Sequence, residues 1–172
     1  MGLARSMLMG LVVAGTAATA AQADTIRSLF GDGTQKGCYK RVYDDAHFAK
    51  NPQQRVKVIT FDFQPEADNT ARQSYGPVGF GISVVLRSKA DGSAGGVFYC
   101  KDSTGKILCS GESDAGTVEV SRQGSDAIML RVTRGLSFET STKKGSIDLE
   151  EGPDDKVFVL RKAPVKACDI LR

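Results

Sequence analysis

The chain has 172 residues, with 23 basic and 20 acidic side chains, one histidine, a net charge of +3 and no tryptophan. This length suits one domain with a continuous core. The charges are interspersed, so nothing resembles the concentrated basic stripe of a nucleic-acid binder, and Lys143-Lys144 reads as a two-residue loop feature.

In chain order, Arg5 supplies a positive flank, Met7 to Ala14 is apolar apart from Gly10, and Ala21-Gln22-Ala23 has the small residues of a signal-peptidase site. We expect residues 1–23 to be a secretory signal and 24–172 to be a single mature domain. A retained anchor would need about twenty apolar residues, and Thr16, Thr19 and Gln22 interrupt the run. No later stretch is apolar enough to span a bilayer and no lipobox cysteine follows, so stable membrane insertion after cleavage is not expected. Ile26, Leu29 and Phe30 then recur at helical spacing before the Gly31-Asp32-Gly33 cluster, predicting one helical turn that acts as a lid or plug.

Strand signals dominate from there. Cys38 to Tyr43 is aromatic and β-branched; Asp44 caps a short helix through Ala46 to Ala49 that Pro52 prevents from continuing. Gln54 to Phe63 sets Ile59, Phe61 and Phe63 on one face. Gly79 to Leu86 alternates cleanly, with Phe80, Ile82, Val84 and Leu86 inward and glycines opposite that suggest bending or close approach. Ser88 to Gly96 reads as a flexible hairpin loop. Val97 to Lys101 and Lys106 to Ser110 form one hairpin; Thr117 to Arg122 and Ala127 to Val132 form another. Leu136 to Thr140, Ser146 to Glu150 and Val157 to Lys162 complete a meander whose turns carry Lys144-Gly145 and Gly152-Pro153-Asp154-Asp155. The pattern predicts an all-β fold, a single antiparallel barrel of about eight to nine strands or a two-sheet β-sandwich, with one or two short helices.

The four cysteines, Cys38, Cys100, Cys109 and Cys168, form an even set in an exported chain, so two disulfides are expected. Cys100 and Cys109 flank the hairpin centre at Thr104-Gly105, which favours their pairing and leaves Cys38 to Cys168. Zinc sites draw ligands in close C-x2-C pairs and redox couples use C-x-x-C at a helix start; neither spacing occurs here, and no metal or cofactor is expected.

His47 is the sole histidine, with Asp44 three residues before it, so any nucleophilic triad must use it. The plainer reading is a capping or surface histidine. Asp44-Asp45, Glu150-Glu151 and Asp154-Asp155 are paired carboxylates, which in turns are usually solvated charges. The stretch 150–155 lacks the D-x-D-x-D-G order of a calcium loop, and Thr104-Gly105-Lys106 lacks the upstream glycine of a phosphate loop. A small apolar ligand inside the barrel would be lined by Phe61, Phe63, Phe80, Ile82, Val84 and Tyr99; the competing reading is that these side chains fill a small barrel.

The run from Gly37 to Val56, through Cys38-Tyr39, Arg41-Val42-Tyr43-Asp44, Ala46-His47, Pro52 and Gln54, resembles the beginning of small exported bacterial proteins of uncharacterised function. That resemblance implies a periplasmic setting and no activity. The strand plan is similar to calycin-like barrels, including lipocalins and periplasmic lysozyme inhibitors. It departs from lipocalins where Gly37-Cys38-Tyr39 replaces G-x-W, and no inhibitory loop motif of the lysozyme inhibitors is found. The expectation is a periplasmic or secreted, non-catalytic binding module for a small apolar ligand or an envelope protein. An envelope structural or inhibitor module acting through loops, or a hydrolase using His47 or a carboxylate pair, is the alternative.

Overall fold

A computed structural model describes residues 25–31, 37–63, 76, 78–88, 92–139, 146–149 and 153–171; the signal segment expected over 1–23 and the Glu150-Glu151 pair lie outside them. Helix α1 (Ile26–Phe30) precedes β1 (Cys38–Val42), and α2 (Asp45–Lys50) follows it. Then come β2 (Val56–Phe63), β3 (Val78–Leu86), β4 (Ser93–Ser103), β5 (Lys106–Gly111), β6 (Thr117–Arg122), β7 (Ala127–Arg134), β8 (Ser137–Glu139), β9 (Ser146–Asp148) and β10 (Val157–Ala163). Short 3-10 turns lie at Pro153–Asp155 and Val165–Cys168.

Eight strands close an antiparallel barrel in the order β1-β10-β7-β6-β5-β4-β3-β2. Closure is made by β1, whose Lys40 stands opposite Arg161 on one side and Thr60 on the other. The sandwich alternative is thereby set aside. The meander is interrupted once: β8 and β9, expected as successive strands of the meander, form a separate two-stranded sheet. Each has three residues, a span of about 10 Å, and β10 reaches past them to pair with β7 from Val157 opposite Arg131 to Arg161 opposite Ala127. The expected loop at Ser88 to Gly96 is also shorter, because β4 begins at Ser93 and pairs with β3 up to Val85.

Period-2 alternation sends one face of each barrel strand inward. Phe63, Phe80 and Phe98 lie in one cross-strand row, and Phe61 with Ile82 in the next. The Phe61 and Phe80 rings stack with centroids 4.6 Å apart, and Phe63 meets Phe80 edge-on at 5.3 Å. A bulge between Val56 and Val58 lets Val56 and Ile59 both point into the core, which strict alternation forbids for residues three apart.

Both ends of the barrel are closed by the chain itself. At one, α1 docks as the expected plug: Phe30 lies 4.7 Å from the Phe80 ring and 5.8 Å from those of Phe61 and Tyr39. Thr25 and Ser28 form a capping box, Asp102 accepts from the Ile26 N–H at 2.8 Å, and Arg122 donates to the Ser28 carbonyl. A five-residue helix is unstable alone, so these contacts hold it. At the other end, Leu136, Phe138, Ile147 and Leu149 from the β8–β9 excursion join the core, as does Phe48 of α2.

Cys100 and Cys109 are directly opposed in β4 and β5, with Cα atoms 4.0 Å apart, and their bridge is buried inside the barrel. Thr104 and Gly105 turn this hairpin with φ of 37° and 80°. Cys38 and Cys168 bridge β1 to the C-terminal 3-10 turn. The tail packs on the outer face, where Lys40 Nζ donates to the Ala167 carbonyl at 2.9 Å. It also explains Gly95, because a Cβ there would lie 2.8 Å from Ser83 Oγ and 2.9 Å from Leu171 Cδ1. Two bridges in one small domain point to an oxidising compartment outside the cytoplasm. Among the described residues no helix is long and apolar enough to cross a membrane.

Candidate functional site

Polar side chains gather at the barrel end away from α1, where β1 leads into α2. The Tyr43 N–H donates to the Lys57 carbonyl at 2.9 Å, extending the β1 pairing by one residue. Asp44 then caps α2, its Oδ1 accepting from the His47 backbone N–H at 2.8 Å. Asp44 therefore orients the helix start and not the imidazole. The helical turn lays His47 over Tyr43, ring centroids 4.4 Å apart, and brings His47 Nε2 within 2.7 Å of Gln54 Oε1 and 3.3 Å of Asn51 Nδ2. Gln54, itself buried, donates through Nε2 to the Val56 carbonyl at 3.0 Å.

The 3-10 turn before β10 meets this group from the other side. Asp155 is fully buried; its Oδ2 accepts from the Arg55 N–H at 2.8 Å and its Oδ1 from the Val56 N–H at 3.2 Å. Asp154 Oδ2 accepts from the Gln53 N–H at 3.2 Å. The Asp154-Asp155 pair thus holds the backbone that enters β2. Burial pushes the Asp155 carboxyl above its ordinary range, with the two backbone hydrogen bonds acting against the shift. Burial likewise raises the Tyr43 phenol, opposed by Gln54 and Arg41. The Arg41 guanidinium lies 5.0 Å from the Tyr43 ring centroid, in cation–π range.

Beside this network lies a cleft of about 410 Å³ lined by Pro52, Gln53, Gln54, Arg55, Arg87 and Ser88. The Arg87 N–H donates to the Arg55 carbonyl at 2.7 Å, so the two arginines face each other across the strand pair. The Arg87 guanidinium stands over the Phe48 ring at 4.7 Å, and Arg55 Nη1 donates to the Asp148 carbonyl at 2.8 Å.

Of the residues expected to line an internal pocket, Phe61, Phe63, Phe80, Ile82 and Val84 do face the interior, all 7 % exposed or less, and they touch one another. Tyr99 is equally buried, 2 % exposed, but lies outside the core cluster that holds its neighbours Phe98 and Cys100; alternation sets it on the other face of β4, where its hydroxyl donates to Glu112 Oε1 at 3.4 Å. Lys106 of the Thr104-Gly105-Lys106 triplet pairs with Glu119 at 3.0 Å. No group of three or more His, Cys, Asp or Glu among the described residues could hold a metal ion.

One surface feature escaped sequence reasoning. Val42, Val157 and Val159 are 56 %, 41 % and 36 % exposed, three of the five large apolar side chains left exposed among the described residues. They lie on the adjacent strands β1 and β10, and cross-strand pairing extends the row to Val58 and Val85 on one side and Met129 on the other. The available signal was the valine left on the polar side of each alternating strand. No family model, curated protein or solved structure matches the chain.

Proposed function

We propose that the protein is an exported, non-catalytic binding module that meets an envelope protein through its outer surface, on a scaffold related to the calycin-like barrels. The carrying observation is the exposed valine band on β1 and β10, since adjacent apolar side chains rimmed by polar ones are the kind of surface a protein partner covers. An internal apolar ligand is disfavoured because the chain's own rings occupy that end of the barrel: Phe30, Phe61 and Phe80 meet one another, and Phe63 meets Phe80.

The border of the band indicates the partner's chemistry. Arg131 stands opposite Val157, Lys57 adjoins Val58 and Lys156 precedes Val157; none of the three makes an ion pair among the described residues. Glu119, directly opposite Arg131, is engaged by Lys106 at 3.0 Å. An acidic rim around an apolar centre on the partner complements this surface. A second copy of the same chain does not, because two cationic rims repel.

A photo-cross-linking side chain placed at Val42 or Val159 tests the reading in the exported fraction of the native host. Both positions are expected to yield the same adduct with one acidic protein, lost on Arg131→Glu and absent from a probe at the exposed Lys101. Adducts with a second copy, with lipid, or equally from Lys101 would rule the surface out.

A further inference from the structure

We infer that the cleft between α2 and the paired ends of β2 and β3 binds an anionic group, a carboxylate or a phosphate, between the guanidinium groups of Arg55 and Arg87. The proposal rests on the reading that recognition takes place outside the filled interior, and it concerns a separate feature from the valine band.

Arg55 and Arg87 occupy facing positions one step beyond the Val56–Leu86 pair, linked by the Arg87 N–H to the Arg55 carbonyl. Like charges directly opposite one another destabilise a strand pair. Cross-strand cations are ordinarily relieved by an acid, yet neither guanidinium makes an ion pair among the described residues. Two described carboxylates close by, Asp154 and Asp155, are turned to backbone N–H groups. Asp155 lies within electrostatic range of Arg55, but its two oxygens accept from the backbone N–H groups of Arg55 and Val56, and Asp154 accepts from that of Gln53. Among the described residues no carboxylate pairs with the charge on the cleft wall, and an anion entering the cleft would meet both guanidinium groups.

Both arginines are also held in place. Arg87 is steadied over Phe48 and Arg55 by the Asp148 carbonyl, which engages one of its N–H groups. A guanidinium offers a planar fork that matches a carboxylate or phosphate in two parallel hydrogen bonds, so fixing it beforehand lowers the ordering cost of binding. The rest of the lining suits a small polar ligand: Pro52 stiffens one wall, Gln53 is exposed, and Gln54 is locked by His47 and the Val56 carbonyl. The volume of about 410 Å³ falls within the range of small-molecule sites, about 300–1,000 Å³.

Amide-resolved NMR titration of the bridged protein with inorganic phosphate, and separately with acetate, at constant ionic strength made up with chloride, tests the assignment. Saturable shifts are expected at the Gln53, Arg55, Arg87 and Ser88 amides. Affinity should fall about tenfold on Arg87→Ala or Arg55→Ala, with Arg87→Lys intermediate. The arm with the tighter saturation identifies the group. Shifts absent from both arms, or unchanged by both alanine substitutions, overturn the anion site. Failure of the outer-surface reading is seen separately: an apolar dye would shift Phe61, Phe80 and Ile82, which the anion titration does not address.

Discussion

Asp155→Asn is the substitution whose outcome follows most closely from the geometry. The carboxylate is fully buried and receives two backbone N–H groups, from Arg55 at 2.8 Å and Val56 at 3.2 Å. Asparagine keeps the shape but retains one acceptor oxygen, so one buried N–H faces an amide that can only donate. A buried donor left without a partner costs about 1–3 kcal/mol, partly offset here by removal of a desolvated charge. A net loss of about 1–2 kcal/mol at pH 7 is expected, a visible fraction of a domain stability of about 5–15 kcal/mol. The pH dependence has a definite sign. The folded-state pKa is raised above 3.8, so in the window between the two values the folded chain binds more protons than the unfolded one. Stability linked to this group is thus fully present below 3.8 and is lost as pH rises through the raised folded value. Urea unfolding followed by far-UV circular dichroism, from pH 7 down to pH 4, should show the wild type gaining on the variant as the solution is acidified. Equal stabilities at pH 7 with parallel pH curves would refute the role given to Asp155.

Three further outcomes are expected. Replacing Cys38 and Cys168 by serine removes a bridge spanning 130 positions, worth about 5 kcal/mol of loop entropy, against about 2.7 kcal/mol for the 9-position Cys100–Cys109 bridge; urea midpoints of the wild type and the Cys38/Cys168 double variant check the larger figure. Phe80→Ala, at the centre of the ring cluster, should cost about 3–5 kcal/mol by the same method. Gly116→Ala should prevent folding, because φ is +97° and the added Cβ would fall 1.8 Å from the Gly135 carbonyl oxygen, whereas Gly124→Ala, at φ +82° with open space around it, should cost about 1–2 kcal/mol. Expression yield and circular dichroism of the two variants separate them.

The barrel was legible because its information is local. Gly79 to Leu86 alternates without a break, the Thr104-Gly105 turn centres two cysteines that must then face each other, and Ile26, Leu29 and Phe30 mark a plug by helical spacing. What escaped reading is long-range. Leu136 to Thr140 and Ser146 to Glu150 carry strand-like composition, yet only the pairing of β10 with β7 shows that β8–β9 is folded out of the barrel. Tyr99 and Cys100 are neighbours in β4 and cannot share a face, a parity that only the Cys100–Cys109 pairing fixes. The site residues were half visible. His47 and the Asp154-Asp155 pair stand out separately in the sequence, but Gln54 and Tyr43, which lie between them, look like ordinary strand residues until α2 and the 3-10 turn converge. Arg55 and Arg87 lie on separate strands, and nothing in their spacing announces that they are opposed.

Native mass spectrometry of the protein purified under gentle conditions from the exported fraction bears most directly on a doubly bridged barrel filled by its own side chains. The expected mass is that of the oxidised chain, with both disulfides and no retained apolar molecule. A co-purifying small ligand released only on unfolding, or a mass with free thiols, would contradict it.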